Sequence, residues 1–285
     1  MLDLSDRRDL DKLAEVVSDL RAAAPEARPL LVGATARDVL LRHAHGIRTR
    51  RATEDIDLAI MTADWAAFQA LRQSMIASPN FQPVGRIQHK FRHRGGSLPV
   101  DLIPFGGVQQ SDGRIAWPPA GDEVMAVLGY RAALETSLDV MLPGRVLLNV
   151  ISLPMLAALK TMAWSDRHWE APRKDASDLI LILQNYLETG QRERIYTEAA
   201  HLLEAEDFDL DRASAWLTGY DAARMIHVHR DESDHLMRLL MELLDRESDP
   251  DGALRLVGQV DALDAEATRR LLVAFRAGLE AGAIQ

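Results

Sequence analysis

The sequence predicts an α+β protein in two parts: a mixed sheet with helices over residues 1–150, then an all-helical domain over residues 151–285. Three observations carry this. Short apolar segments punctuated by glycine alternate with helical patterns as far as Ile151. Every periodic segment after Ser152 has helical spacing. The chain, 285 residues with 47% hydrophobic content, is long enough for a sizeable core in one or two domains.

The elements follow in order. Asp6 to Ala24 carries Leu10, Leu13, Val16, Val17 and Leu20 at helical spacing, and the break from Pro25 to Pro29 ends it. Pro29-Leu-Leu-Val-Gly33 reads as a short buried strand closing on a glycine turn. Thr35 to His43 then reads as a helix burying Ala36, Val39 and Leu40. Residues 42–51, RHAHGIRTRR, hold four arginines, two histidines and no acid, which predicts a loop. Ile56–Ile60 is a strand and Thr62–Ile76 a helix. From Phe81 to Trp117 the segments PVGRI, HKFRH, LPVDLIPF and GRIAW read as strands of the mixed sheet. LDVML and RVLLNVI flank a turn at Pro143-Gly144.

Ser152 suits an N-cap, and Pro154 sits in the first turn, where its missing N–H costs little. Further helices are expected at Arg173–Leu187, Gln191–Leu203, Asp211–Ile226, Glu232–Leu244 and Ala262–Leu279. Leu236, Leu239, Leu240 and Leu243 mark the clearest stripe. With no repeat and no Gly/Ser linker, the boundary is the change of element type near residue 150.

Composition narrows the chemistry. The absence of cysteine excludes disulfides, thiolate zinc sites and cysteine nucleophiles. The start is charged from Asp3, and no run approaches the roughly 18 apolar residues that span a bilayer, so the expectation is a soluble, cytoplasmic protein without a membrane partner. The net charge is −10, but residues 201–285 carry 18 acidic and 9 basic side chains, so the first 200 are nearly balanced. That leaves room for a local basic surface.

Strand side chains alternate faces, so Asp55 and Asp57 project together while Ile56 points to the core. Asp101, between Val100 and Leu102, projects opposite its apolar neighbours in the same way. Three converging carboxylates repel unless cations join them, and Mg2+ (or Mn2+) takes hard oxygen ligands while keeping positions open for phosphates. A lone D-x-D is most often a pair of strand-end aspartates; the upstream glycine turn and downstream Asp101 favour a two-metal site. The turn Gly33-Ala34-Thr35 would present backbone N–H groups and a hydroxyl to phosphates, with Arg37 and Arg42 on the following helix. Arg48, Arg50 and Arg51, just before the metal strand, are candidates for binding an anionic acceptor. Arg86–Arg94 reads rather as solvated edge-strand charge.

These motifs carry a resemblance. Strand, small-residue turn, helix, D-x-D strand and a later strand aspartate resemble the DNA polymerase β-type nucleotidyltransferase superfamily. VGATARDVLL followed by EDIDLAI is also similar to the opening of CCA-adding tRNA nucleotidyltransferases, although Ala34 stands where such turns carry Gly or Ser. Residues 153–183 resemble the later motifs of AbiEii-type nucleotidyltransferases, which include the MenT toxins: a lysine on one helix, then Lys-Asp and a second Asp opening the next. Lys160, Lys174, Asp175 and Asp178 match them. The resemblance implies that Asp55, Asp57 and Asp101 are catalytic and bind metal. It places Gly33, Ala34, Thr35, Arg37, Lys160, Asp175 and Asp178 around the nucleotide and has the helical domain close the nucleotide cleft. Lys160 either binds the triphosphate or pairs with Asp175 or Asp178, and the two roles are compatible.

The implied reaction moves a nucleoside monophosphate from an NTP to an acceptor such as tRNA or another RNA, as a toxin restrained by a cognate antitoxin. The alternatives are a nucleotidyltransferase acting on a small molecule or a protein, and a non-catalytic nucleotide-binding module.

Overall fold

A computed structural model describes residues 1–49, 55–94, 98–121, 124–167, 173–204, 208–245 and 265–284. Arg50, Arg51 and the start of the helix expected at Ala262 lie outside them. The chain divides into two compact units, Met1–Ile151 and Ser152–Gln285.

The first unit is built on an eight-stranded mixed sheet in the order β1-β9-β10-β2-β3-β6-β5-β4. The strands are β1 (Leu2–Asp3), β2 (Pro29–Val32), β3 (Ile56–Thr62), β4 (Phe81–Pro83), β5 (Lys90–His93), β6 (Pro99–Gly106), β9 (Leu138–Leu142) and β10 (Val146–Val150). The central strands are apolar on both sides of their middles: Leu30, Leu31, Leu58, Leu102 and Phe105 are fully buried. Burying each such side chain contributes about 1.5–3 kcal/mol. Helix α1 (Asp11–Ala23) lays Leu13, Val16, Val17 and Leu20 into this core, as its spacing predicts; residues 8–10 ahead of it form only a 3-10 turn.

Three sequence expectations in this unit are corrected. Helix α3 (Trp65–Ala77) starts later than Thr62 because Asp64 caps it, its side chain accepting from the Ala67 N–H at 2.7 Å, while Thr62 finishes β3. PVGRI is not a strand: β4 ends at Pro83, and the chain then turns through Gly85 (φ +56°), with the Ile87 N–H on the Val84 carbonyl. GRIAW does not join the main sheet. It supplies β7 (Arg114–Ala116), which pairs with β8 (Val124–Ala126) in a separate two-stranded ribbon. The short helix α4 (Tyr130–Glu135) follows.

The second unit is helical: α5 (Leu153–Arg167), α6 (Lys174–Asn185), α7 (Leu210–Ile226), α8 (Arg230–Leu244) and α9 (Ala265–Ala283). Ser152 precedes α5, with its hydroxyl 3.2 Å from Met225 Sδ. Helix α7 is buried on nearly every side from Ala213 to Ala223. Its crossing with α9 depends on glycines: a Cβ at Gly219 would lie 2.1 Å from the Phe275 carbonyl oxygen, and one at Gly278 would lie 1.9 Å from the Trp216 carbonyl oxygen. Helix α8 buries Leu236, Met237, Leu240 and Leu244, so its stripe is rotated slightly from the one read in the sequence.

The helix expected at Gln191–Leu203 is instead two 3-10 turns, Arg192–Tyr196 and Ala200–Glu204. The physical reason is a polar network that holds this stretch. Arg194 donates to both oxygens of Asp221 at 2.6 and 2.7 Å and grips Glu198 as well. The buried Tyr186 hydroxyl donates to Asp221 Oδ2 at 2.6 Å. Burial, then the Asp221 charge, pushes the Tyr186 phenol well above its ordinary range.

Candidate active site

Strand register sets the chemistry of the first unit. β2 and β3 are antiparallel with Val32 opposite Asp57; β3 and β6 are parallel with Asp57 opposite Asp101; β6 and β5 are antiparallel with Asp101 opposite Lys90. Val32, Asp57, Asp101 and Lys90 therefore make one row across four strands, and residues in register share a face. Ile56, Leu58, Val100 and Leu102 take the opposite face and are buried.

Asp57 and Asp101 thus stand on neighbouring strands about 4.8 Å apart. Two carboxylates carried on one face of neighbouring strands repel one another. Lys90 offsets part of this: its Nζ donates to Asp101 Oδ2 at 2.7 Å. The other oxygen, Asp101 Oδ1, is buried and has no hydrogen-bond partner among the described residues.

Asp57 is fixed from its other flank by Gly33. This glycine has φ +70°, and a Cβ there would sit 2.0 Å from Asp57 Oδ2. The position needs glycine twice over, for its backbone conformation and for the approach of the carboxylate. Ala34 follows at ordinary φ and is buried, so its methyl is not at the strained position. No separate turn intervenes: helix α2 (Gly33–Asp38) opens directly at Gly33 and continues as a π-helical stretch, Val39–Ala44.

Several expected phosphate contacts are engaged inside the protein. The Thr35 hydroxyl donates to the Asp55 carbonyl oxygen at 2.6 Å and so ties α2 to the entrance of β3. Arg37 is 2% exposed, with Nε and Nη2 on Asp38 Oδ1 at 2.9 and 2.6 Å. Asp55 is half-buried just before β3. Arg42 and Arg48 are exposed. His43 faces Asp9 at 3.0 Å, and burial holds its pKa below the ordinary histidine value.

The second unit brings Lys160, Asp175 and Asp178 together. Lys160 on α5 is 4% exposed, with Nζ 2.8 Å from Asp175 Oδ1 and 2.6 Å from Asp178 Oδ2, both on α6. The interhelical pairing considered from the sequence is therefore present, with both acids at once. Burial works against the ammonium, but the two carboxylates outweigh it and hold the lysine above its ordinary value. A buried cation flanked by two anions keeps its charge and a fixed position.

In the sequence Lys90 is one cation of the basic segment Arg86–Arg94. Alternation in HKFRH marks its strand, but only the β5–β6 register shows that it faces Asp101.

Hard carboxylate oxygens suit Mg2+ or Mn2+, and two features of this structure fit such an ion: the buried, unpartnered Oδ1 of Asp101 and the close seat that Gly33 leaves for Asp57. Among the described residues no group of three or more Asp, Glu, His or Cys side chains is gathered into a cage. The fit rests on the Asp57–Asp101 pair. Also among the described residues, no helix is long and apolar enough to cross a membrane.

The profile of the family described as nucleotidyl transferase AbiEii toxin, type IV TA system, matches residues 16–279. Among solved structures, the antibiotic-resistance factor ANT(2'')-Ia, a solution structure, is similar at 13% identity and a TM-score of 0.38, covering 68% of this chain and 99% of that one. A comparison with curated protein sequences gave no match.

Proposed function

Because this chain belongs to the AbiEii nucleotidyl transferase family of type IV toxin–antitoxin systems, we propose that it moves a nucleoside monophosphate from an NTP to an RNA acceptor such as tRNA, with Asp57 and Asp101 at the centre of a divalent-metal site. The observation that carries this reading is the register of β3 and β6, which sets the two aspartates side by side, one against Gly33 and the other with a free buried oxygen.

In this reading Asp57 and Asp101, with Asp55 beside them, hold Mg2+ or Mn2+. The ion supplies charge neutralisation for the triphosphate and activation of the attacking hydroxyl. The residues of the chain do the rest. Gly33 leaves room for the Asp57 carboxylate, and the Gly33 and Ala34 amides are the backbone donors assigned to the triphosphate. Thr35 acts through the strand, fixing Asp55 by its bond to the carbonyl. Arg37 acts from the interior by orienting Asp38. As the acceptor oxygen bonds to the α-phosphorus, the bond to pyrophosphate breaks and the hydroxyl proton passes to Asp101. Within the second unit, Lys160 is the nucleotide-binding cation of this reading, and Asp175 and Asp178 hold it in place. Arg48, Arg50 and Arg51 bind the acceptor backbone. The family's toxin–antitoxin character makes a cognate antitoxin the expected protein partner.

The test offers each α-labelled NTP with Mg2+ to the purified chain together with total RNA and total protein. Label is expected on RNA, and Asp57→Asn should abolish it while the variant keeps its melting temperature. Label on a protein or on a small molecule instead would overturn the acceptor assignment.

A further inference from the structure

We propose that Lys90 is a built-in counter-ion of Asp101, a positioning residue that competes with the divalent cation for Asp101 Oδ2 and must release it when the metal binds. This deepens the metal reading above and rests on it. Asp101 stands in register between an anion, Asp57, on one neighbouring strand and a cation, Lys90, on the other. Its Oδ2 is already claimed by Lys90 Nζ at 2.7 Å, while its Oδ1 is buried without a partner among the described residues.

The two partners differ in freedom. The Asp101 side chain is 14% exposed and short; the Lys90 side chain is 40% exposed and sits on a long, flexible stem. The lysine is therefore the member that swings away, and the carboxylate is the member that stays. The ammonium thus has two effects. It neutralises a half-buried carboxylate that would otherwise repel Asp57, and it raises the metal concentration needed to occupy the site. Once displaced, it remains tethered at the end of the carboxylate row as a mobile cation facing an anionic substrate.

The general effect of positive charge near a metal site is separable from this specific contact. Arg92 lies on the same strand two residues on and is exposed, and it faces Pro99 and Gln82 in register rather than an acid. Removing its charge tests the general field; removing Lys90 tests the field and the contact together.

The experiment measures Mn2+ binding to the full chain by calorimetry, with thermal melts with and without Mn2+. The chains are the unaltered protein, Lys90→Met, Lys90→Gln, Arg92→Gln and Asp101→Asn. Lys90→Gln serves as a second variant because its amide keeps a donor toward Asp101 and protects the fold. A charge-assisted hydrogen bond is lost from the competing state, so Lys90→Met is expected to bind Mn2+ about tenfold tighter, with Lys90→Gln shifted the same way. Arg92→Gln should stay within about twofold by the same scale for screened, exposed charge. Lys90→Met should also melt lower than the unaltered chain without metal and recover when Mn2+ is added. Equal Mn2+ affinity of the unaltered and both Lys90 chains, with Asp101→Asn weakened, overturns the Lys90 role and leaves the metal site standing. An equal gain in Arg92→Gln likewise overturns it, because the field alone would then explain the change. Undiminished Mn2+ binding by Asp101→Asn, or none by any chain, overturns the metal site itself and the Lys90 role with it.

Discussion

At the scale of the residue, the candidate site is set by close contacts that local sequence shows unequally. The flanking apolar residues put Asp57 and Asp101 on strands and point them away from the core, so their faces follow from alternation alone. Nothing local places Lys90 beside Asp101 or Gly33 beneath Asp57, because both contacts depend on which strand lies next to which. Two predictions belong here. Gly33→Ala should reduce Mn2+ binding and transferase activity together, by 100-fold or more at roughly 3 kcal/mol of displaced Asp57, since the new methyl would meet Oδ2 at 2.0 Å. Retained Mn2+ affinity in that variant would show that Asp57 is not a ligand. Lys160→Met should destabilise the second unit by about 3–5 kcal/mol, the usual result of stripping the cation from buried acids. The pH dependence has a definite sign. Lys160 is held above its ordinary value of 10.5 in the folded chain, so its contribution is complete below pH 10.5 and fades as pH rises through the folded value. Melting curves of the two chains should therefore approach each other in strong alkali; curves that stay parallel there would show that the ion pair does not stabilise the fold.

At the scale of the element, periodicity served long segments and failed short ones. Helices α1 and α6 follow from apolar spacing because each presents a stripe over several turns, whereas α7 is buried on nearly every side. The stretch Gln191–Leu203 has apolar residues at similar intervals, yet only Ile195 and Ala199 are buried, and Arg194 is tied to Asp221 on α7. A tertiary ion pair there overrides a weak local preference. The α7–α9 crossing is likewise invisible locally, since Gly219 and Gly278 read only as weak points in two helices. In the structure they are points of backbone approach. Gly278→Ala would push a methyl against the Trp216 carbonyl at 1.9 Å, where neither group is a flexible side-chain end. It should lower stability by about 1–3 kcal/mol, or a few degrees in Tm, although alanine is the better helix former by roughly 1 kcal/mol. Val273→Ala on the exposed face of α9, where Val273 is 62% exposed, is the comparison and should be nearly neutral. A Gly278→Ala chain as stable as the original would mean that the crossing has slack.

At the scale of the whole molecule, strand order is the part that a single sequence hides most. The parallel pairings β1–β9 and β10–β2 join segments more than a hundred residues apart, and no turn chemistry records them. Charge is the opposite case, because it is read directly. The chain carries −10 overall, and residues 201–285 hold most of that excess. A polyanionic acceptor is therefore repelled by the molecule as a whole and needs a local basic segment to bind. Arg48, Arg50 and Arg51 are the segment nearest in sequence to Asp55 and Asp57; Arg48 is exposed. If these three meet RNA phosphates, acceptor affinity should fall with salt at roughly 0.7 per contact for a single strand, a slope near 2. Between 50 and 200 mM salt that is a loss of roughly 20-fold. Replacing all three with alanine should flatten the slope and weaken RNA binding at low salt. NTP affinity, assigned in the proposed reading to Gly33, Ala34 and Lys160, should change much less. Filter binding of labelled tRNA across a salt series measures both quantities. A triple variant with the original slope would move the RNA contact elsewhere on the protein and leave residues 42–51 as solvated charge.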